Sequence, residues 1–280
     1  MERLPWAPEG IDLERPSAAR VYDYWLGGSH NYAADREMAR QIARLMPDVP
    51  RFARANRSFL RRAVEYLVAA GVRQFLDIGS GIPTAGNVHE IAQRVAPETR
   101  VAYVDIDPIA IAHSRAILAG NDRVAVVAND LRAPERILSD PGLRRVLDLN
   151  RPVAILMVSL LHFVPDTDDP AGLIASYRDA VPAGSYLALS HIQRVPDPPR
   201  SGVEILALYE RVGTPLIPRT DAELTPFFTG FDMVEPGLVA LAEWRPDTLD
   251  GAPAVGGPDA VRSEPDNVLT GFRAGVGQKP

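Results

Sequence analysis

From Val72 onward short β-rich runs alternate with helical runs, and this alternation constrains the fold more than any other feature of the chain. Gln74–Ile78, Val101–Val104 and Val124–Ala128 read as strands, with helices expected at Val88–Val95 and Ile109–Leu118 between them. Repeated strand–helix–strand units build a parallel sheet covered by helices on both faces. A fourth strand is expected at Val153–Val158 and a fifth at Ser185–Leu189. Asp107-Pro108 and Asp169-Pro170 each offer an acid to cap a helix and a proline for its first position. Thr220 with Glu223 three residues later reads as a capping box. Helices are expected around Val203–Val212 and after Thr220. Two further apolar runs, Phe231–Val234 and Leu238–Trp244, are separated by Glu235-Pro236-Gly237, which predicts a closing hairpin.

Ahead of this core, Ser17 to about Ala70 has helical periodicity, broken at Leu26 to Asn31. The division expected is an N-terminal helical extension over 1–70, an α/β core over 71–247 and an irregular tail over 248–280, with residues 1–16 irregular as well. A chain of 280 residues suffices for one sizeable α/β core with extensions. A net charge of −6 argues against a nucleic-acid backbone as an obligatory partner, since phosphate binding draws on a basic face. The absence of cysteine excludes disulfides, zinc-thiolate sites and cysteine nucleophiles. The first residues carry charges and prolines where a signal peptide needs an apolar run, and the longest apolar stretch, Val153 to Val164, is too short to span a bilayer. The expected address is the cytoplasm, with no membrane partner.

The chemistry concentrates in Phe75-Leu76-Asp77-Ile78-Gly79-Ser80-Gly81, an apolar strand running into a glycine turn. Open α/β sheets bind ligands at this carboxyl edge, and glycine lets the backbone approach them closely. A tight strand–helix turn is the plainer alternative. Asp105 ends the second strand 24 positions after Gly81, where an acid can accept both hydroxyls of an adenosine ribose. Asp107, next to Pro108, is better placed than Asp105 to cap the following helix. Asn129-Asp130-Leu131 ends the third strand, offering an acid for the adenine amine and a backbone N–H for a ring nitrogen, or simply a polar turn. Thr84 stands where a dinucleotide fingerprint needs its last glycine, Pro83 removes a backbone donor, and no P-loop lysine exists. An adenosine-bearing ligand without phosphate suits this loop best.

The order FLDIGSG, YVDIDP, VAND, an apolar fourth strand and a closing hairpin resembles the class I S-adenosylmethionine (SAM)-dependent methyltransferases. More narrowly, ARVYDYWLGGSHNYAADRE, RANRSFLRRAV, QFLDIGSGIPTAGNVHE, LLHFVPD, PAGSYLALSH and the terminal GVGQKP resemble an actinomycete family of such enzymes over nearly the whole chain. The resemblance implies a Rossmann-like seven-stranded sheet and SAM as cofactor. It implies cofactor contacts from Asp77 and from the turn Gly79, Ser80 and Gly81. It places Asp105 and Ile106 at the ribose, and Asn129, Asp130 and Leu131 at the adenine. Ser159 would lie beside the sulfonium, with Tyr22 reaching the cofactor from the N-terminal extension. The acceptor is expected to be a small molecule. A SAM-binding regulatory module and a nicotinamide-dependent oxidoreductase are the competing readings.

Methyl transfer from a sulfonium is an in-line displacement in which positioning supplies much of the rate, so an obvious catalytic side chain is not required. His162 and His191, beyond the fourth and fifth strands, are the candidates for a base, or else buried histidines with satisfied hydrogen bonds. His30, His89 and His113 lack ligand-like spacing, so no metal is expected. Tyr22, Tyr24, Trp25 and Tyr32 flank Gly27-Gly28, and read equally as a hinged lid or as helices packing aromatic faces on the core. Arg54, Asn56 and Arg57 offer a partner for the SAM carboxylate or a solvated helix face, and Asp166, Asp168 and Asp169 read as a loop and helix start.

Overall fold

The structure, a computed structural model, describes residues 12–83, 86–247 and 271–280. Three helices come first: α1 (Ala18–Trp25), α2 (Ala33–Leu45) and α3 (Val49–Ala69). The alternating region follows as β1 (Gln74–Ile78), α4 (Val88–Val95), β2 (Arg100–Asp105), α5 (Pro108–Ile117), β3 (Val124–Ala128), α6 (Pro134–Leu138), α7 (Pro141–Val146) and β4 (Ala154–Val158). Then come α8 (Pro170–Asp179), β5 (Tyr186–Ile192), α9 (Arg200–Arg211), α10 (Asp221–Leu224), β6 (Asp232–Met233), β7 (Val239–Ala240) and β8 (Phe272–Gln278). The sheet order is β3-β2-β1-β4-β5-β8-β6, with β1 to β5 parallel and β8 antiparallel to β5.

The parallel strands are apolar because both faces are covered, and every residue of β1 is buried. Their alternation divides the core. Phe75, Tyr103 and Leu156 pack with the N-terminal helices, while Leu76, Val104 and Ile155 pack with Leu143, Ile174 and Tyr177 on the other face. The expected caps form: Asp107 accepts from the Ile109 and Ala110 amides, Asp169 from Gly172, and Thr220 exchanges bonds with Glu223.

The expected hairpin does not form. β6 and β7 do not pair with each other; both run antiparallel along β8, as two pieces of one edge interrupted at Glu235-Pro236-Gly237. The turn signal marks a break within that edge rather than a reversal. The partner strand, β8, arises from the segment read as irregular tail. Its glycines hide the strand signal because they answer to packing. A Cβ on Gly277 would sit 2.8 Å from that of Phe231, and one on Gly275 would sit 3.1 Å from Phe228 and Met233. Lys279 then donates to the Arg178 and Val181 carbonyls at the end of α8, at 3.0 and 2.8 Å.

The break expected at Leu26 to Asn31 is a pinned turn. The Asp23 carboxylate accepts from the His30 amide at 2.9 Å and from Asn31 at 2.8 Å, and it lies so close to Gly28 that any Cβ would collide with it. Trp25 is buried and donates to the Ala39 carbonyl, so the aromatic segment is packed against the core. A second break at Met46 to Asp48, unread in the sequence, separates α2 from α3. Among the described residues no helix is long and apolar enough to cross a membrane. The expectations for residues 1–11 and 248–270 lie outside the described residues.

Candidate functional site

A cavity of about 1470 Å³ opens over the carboxyl ends of the parallel strands, roofed by α1, α3 and α9. It gathers Asp77, the Gly79–Gly81 turn, Asp105, Asp130, Leu131 and Ser159, which sequence spacing alone had set on separate strands.

Both turn glycines take left-handed backbone, φ 72° at Gly79 and 66° at Gly81. The Gly79 and Ser80 amides donate to the Val104 carbonyl at 2.8 and 3.1 Å, which ties the turn to β2. At Gly79 a Cβ would meet Leu160 at 2.5 Å, whereas at Gly81 it would meet nothing within 4 Å. Gly81 is therefore the bare backbone that faces open space.

Asp105 holds this turn to the next. One carboxylate oxygen accepts from the Gly81 amide at 2.7 Å and the other from the Asp107 amide at 2.8 Å. Burial pushes its pKa up to about 6 against the pull of those amides. Each oxygen retains a lone pair for a ligand hydroxyl. Beside it Ile106 is 66% exposed, a large apolar side chain that lines the cavity. Asp77 also lines the cavity, and its carboxylate accepts no hydrogen bond among the described residues. Burial raises its pKa to about 7; Arg57 opposes that rise and Asp105 adds to it.

At the end of β3 the expected adenine acid is already occupied. Asp130 takes a bidentate grip from Arg132, with contacts of 2.6 and 3.0 Å, and Arg132 also reaches Asp168 at 3.1 Å. Burial works against the Asp130 charge, but Arg132 outweighs it and holds the carboxyl below its usual range. Asn129 accepts from the Asp130 amide at 2.9 Å, and the Tyr177 hydroxyl donates to the Leu131 carbonyl at 2.8 Å.

Ser159 has φ 55°, an unusual angle for a side-chain-bearing residue, and its amide donates to the Ser190 hydroxyl at 2.9 Å. Ser190 donates to Asn56 Oδ1 at 2.6 Å, Asn56 Nδ2 donates to the Tyr22 hydroxyl at 3.0 Å, and Tyr22 donates to the Ala53 carbonyl at 3.0 Å. Asn56 is thus a buried link, not a solvated helix residue. Tyr22 reaches the cavity with its ring while its hydroxyl is committed to the relay. Arg57 lines the cavity, and Arg54 is exposed and does not.

The two candidate histidines part company. His191 is fully buried, with Nδ1 against its neighbour Ile192 carbonyl at 2.7 Å and Nε2 against Arg219 at 3.0 Å. Both nitrogens are engaged and the ring lies away from the cavity lining, so it is a structural histidine. His162 lines the cavity, is buried, and leaves Nδ1 without a hydrogen-bond partner. Burial, with His191 and Arg219 adding to it, keeps this ring neutral well below the usual histidine pKa. Arg219 escaped the sequence reading altogether. Buried to 2% exposure, it donates to the Leu161 and Val164 carbonyls at 3.0 and 2.7 Å and to Asp166 at 2.7 Å, fixing the loop that carries His162. Nothing local distinguishes it from the chain's many exposed arginines.

A wound parallel sheet closed by an antiparallel last strand, with a glycine turn after β1 and acids at the carboxyl ends of β1 (Asp77, next to last) and β2 (Asp105), defines the class I SAM-dependent methyltransferases. The chain belongs to the S-adenosyl methyltransferase family, whose model matches residues 5–280. Two solved structures are similar over almost their full lengths. One is a DUF574 family protein from Streptomyces avermitilis, 41% identical over 96% of this chain and 99% of that one, with a TM-score of 0.86. The other is a Thermobifida fusca protein whose methyltransferase activity is inferred, 39% identical over 99% of both chains, with a TM-score of 0.87. None of the curated proteins matches this chain. The protein is therefore a methyltransferase whose cofactor is SAM, and the nicotinamide reading falls away. The residues fit that cofactor: an open glycine at Gly81, a carboxylate with spare lone pairs at Asp105, and an exposed apolar face at Ile106.

Proposed function

We propose that this enzyme methylates a small-molecule acceptor enclosed in the same cavity as its cofactor. The observation that carries this reading is the cavity's size. Typical small-ligand pockets span ~300–1000 Å³, and about 1470 Å³ leaves room for a second molecule beside the cofactor.

SAM supplies an electrophilic methyl group on a sulfonium. Asp105 accepts the ribose hydroxyls through the lone pairs that Gly81 and Asp107 leave free. Ile106 and Leu131 pack against the adenine, and the Leu131 amide donates to a ring nitrogen, because the Asp130 carboxylate is spent on Arg132. Asp77 and Arg57, oppositely charged, hold the amino and carboxylate groups of the methionine portion beside Gly79 and Ser80. Ser159, anchored by the relay through Asn56, borders the sulfonium. The negative overall charge, −6, fits a small acceptor better than a nucleic acid.

Calorimetric titration with SAM tests the cofactor site, and an acceptor screen following S-adenosylhomocysteine tests turnover. Asp105→Ala should weaken SAM binding by ~1.5–3 kcal/mol, as for lost charged hydrogen bonds. An unchanged dissociation constant in a folded variant would remove the ribose assignment.

A further inference from the structure

We infer that the acceptor compartment is built for an uncharged aromatic alcohol, methylated on its hydroxyl oxygen; this rests on the reading of the cavity given above. Away from the glycine turn the cavity wall is formed by Phe52, Phe163, Ile205, Tyr209, Leu216 and Phe272. These residues come from α3, the loop after β4, α9, the loop after α9, and β8. Their rings are set against one another: Phe52 stacks on Phe272 with centroids 3.5 Å apart, and Phe163 tilts toward Tyr209 at 5.8 Å. Such walls favour a flat apolar body.

Two arginines, Arg194 and Arg15, stand at this end of the cavity. Arg194 pairs with Glu223 at 2.8 Å, and Arg15 donates to the Val212 carbonyl at 2.9 Å. Arg15 is exposed and bonded to a neutral carbonyl, so a charged group buried among the rings, rather than at that rim, would lack a counterion.

Among the polar groups in this wall, two suit a hydroxyl. His162 is buried and neutral, with its ring centroid 4.5 Å from that of Phe163; its Nδ1 is sealed from the cavity, which leaves Nε2 as the nitrogen able to meet an acceptor. Tyr209 is also buried beside Phe163, and its hydroxyl forms no hydrogen bond among the described residues. An imidazole nitrogen that accepts and a phenol that donates match one hydroxyl, which does both. In the transfer the acceptor oxygen forms the new C–O bond as the S–C bond breaks and its electron pair goes to sulfur. The hydroxyl proton passes to His162 and from there to water. The products are a methyl ether and the thioether S-adenosylhomocysteine.

The full chain, saturated with S-adenosylhomocysteine, is titrated with 1-naphthol and with 1-naphthol-4-sulfonate; the chain with SAM and 1-naphthol is assayed for 1-methoxynaphthalene by mass spectrometry. Expected are saturable naphthol binding, at least tenfold weaker binding of the sulfonate, and formation of the ether. Tyr209→Phe should weaken naphthol binding about tenfold, and His162→Asn should slow ether formation at least a hundredfold. Both should leave SAM affinity within twofold. SAM binding without naphthol binding, or equal binding of the sulfonate, overturns the aromatic-alcohol assignment and spares the reading above. Failure to bind SAM overturns both.

Discussion

Asp77 and Asp105 both line the cavity, and burial holds them near the point of protonation, at about 7 and about 6. The sign of the consequence follows from linkage. Because both folded pKa values are raised, the folded protein binds more protons than the unfolded chain between about pH 4 and 7, and these carboxylates lower stability as pH climbs through that window. Cofactor binding has the opposite slope. A ribose hydroxyl and a cationic amino group both favour the carboxylates ionised, so SAM affinity should rise from pH 5 to about 7 and level off above it. Calorimetry across that range checks this, and Asp77→Asn should flatten the upper part of the rise. A second expectation concerns Gly81. Its φ of 66° disfavours a Cβ, at a cost of ~1–2 kcal/mol, but the space around it is open. Gly81→Ala should therefore fold, with a modest loss in denaturation midpoint and weaker SAM binding. At this scale the sequence was legible where chemistry is local: Asp107, Asp169 and Thr220 cap the helices their own neighbours begin. The pairing of Asp130 with Arg132 was not legible, because the Arg132 side chain has to be placed before it is visible.

The elements show where local reading stops. Strands β1 and β3 and helix α4 fall at the boundaries expected for them, since a buried parallel strand is a bare apolar run and an amphipathic helix keeps its period. The loop Leu161 to Asp166 had no such signature. Its shape depends on Arg219, more than fifty residues away, which satisfies two backbone carbonyls, the exposed Asp166 and the ring of His191 at once. Removing that guanidinium leaves several buried acceptors unpaired, each costing ~1–3 kcal/mol. Arg219→Met should thus lower unfolding free energy by about 3 kcal/mol or more in urea titrations. The same variant should impair turnover beyond its effect on SAM affinity, because His162 and Phe163 ride on the loop it fixes. If the variant kept full stability, the hub would be incidental and the placement of His162 would need another cause.

For the molecule as a whole, β8 joins regions that the chain otherwise keeps apart. It lies between β5 and the broken edge of β6 and β7, so the last residues of the chain complete the sheet. Its two ends do different work. Phe272, opposite Ile192, stands at the carboxyl edge of β5 and walls the cavity, whereas Gly277, opposite Leu187, lies near the start of β5 and packs under Phe228 and Phe231. Nothing in the sequence of β8 announces this, because glycines that make room for aromatic rings on another element also erase the strand's own signature. A valine at Gly277 would need space that Phe231 already fills, and overpacking of this kind costs ~1–3 kcal/mol. Gly277→Val should therefore lower the denaturation midpoint while SAM affinity, measured well below that midpoint, stays within about twofold. Phe272→Ala should do the reverse in the cavity, weakening naphthol far more than SAM. Deleting residues 272–280 removes both functions together and exposes the β5 edge, so the truncated chain should fail to unfold cooperatively. A truncated chain with a sharp transition and intact SAM binding would mean that the sheet is complete without its final strand.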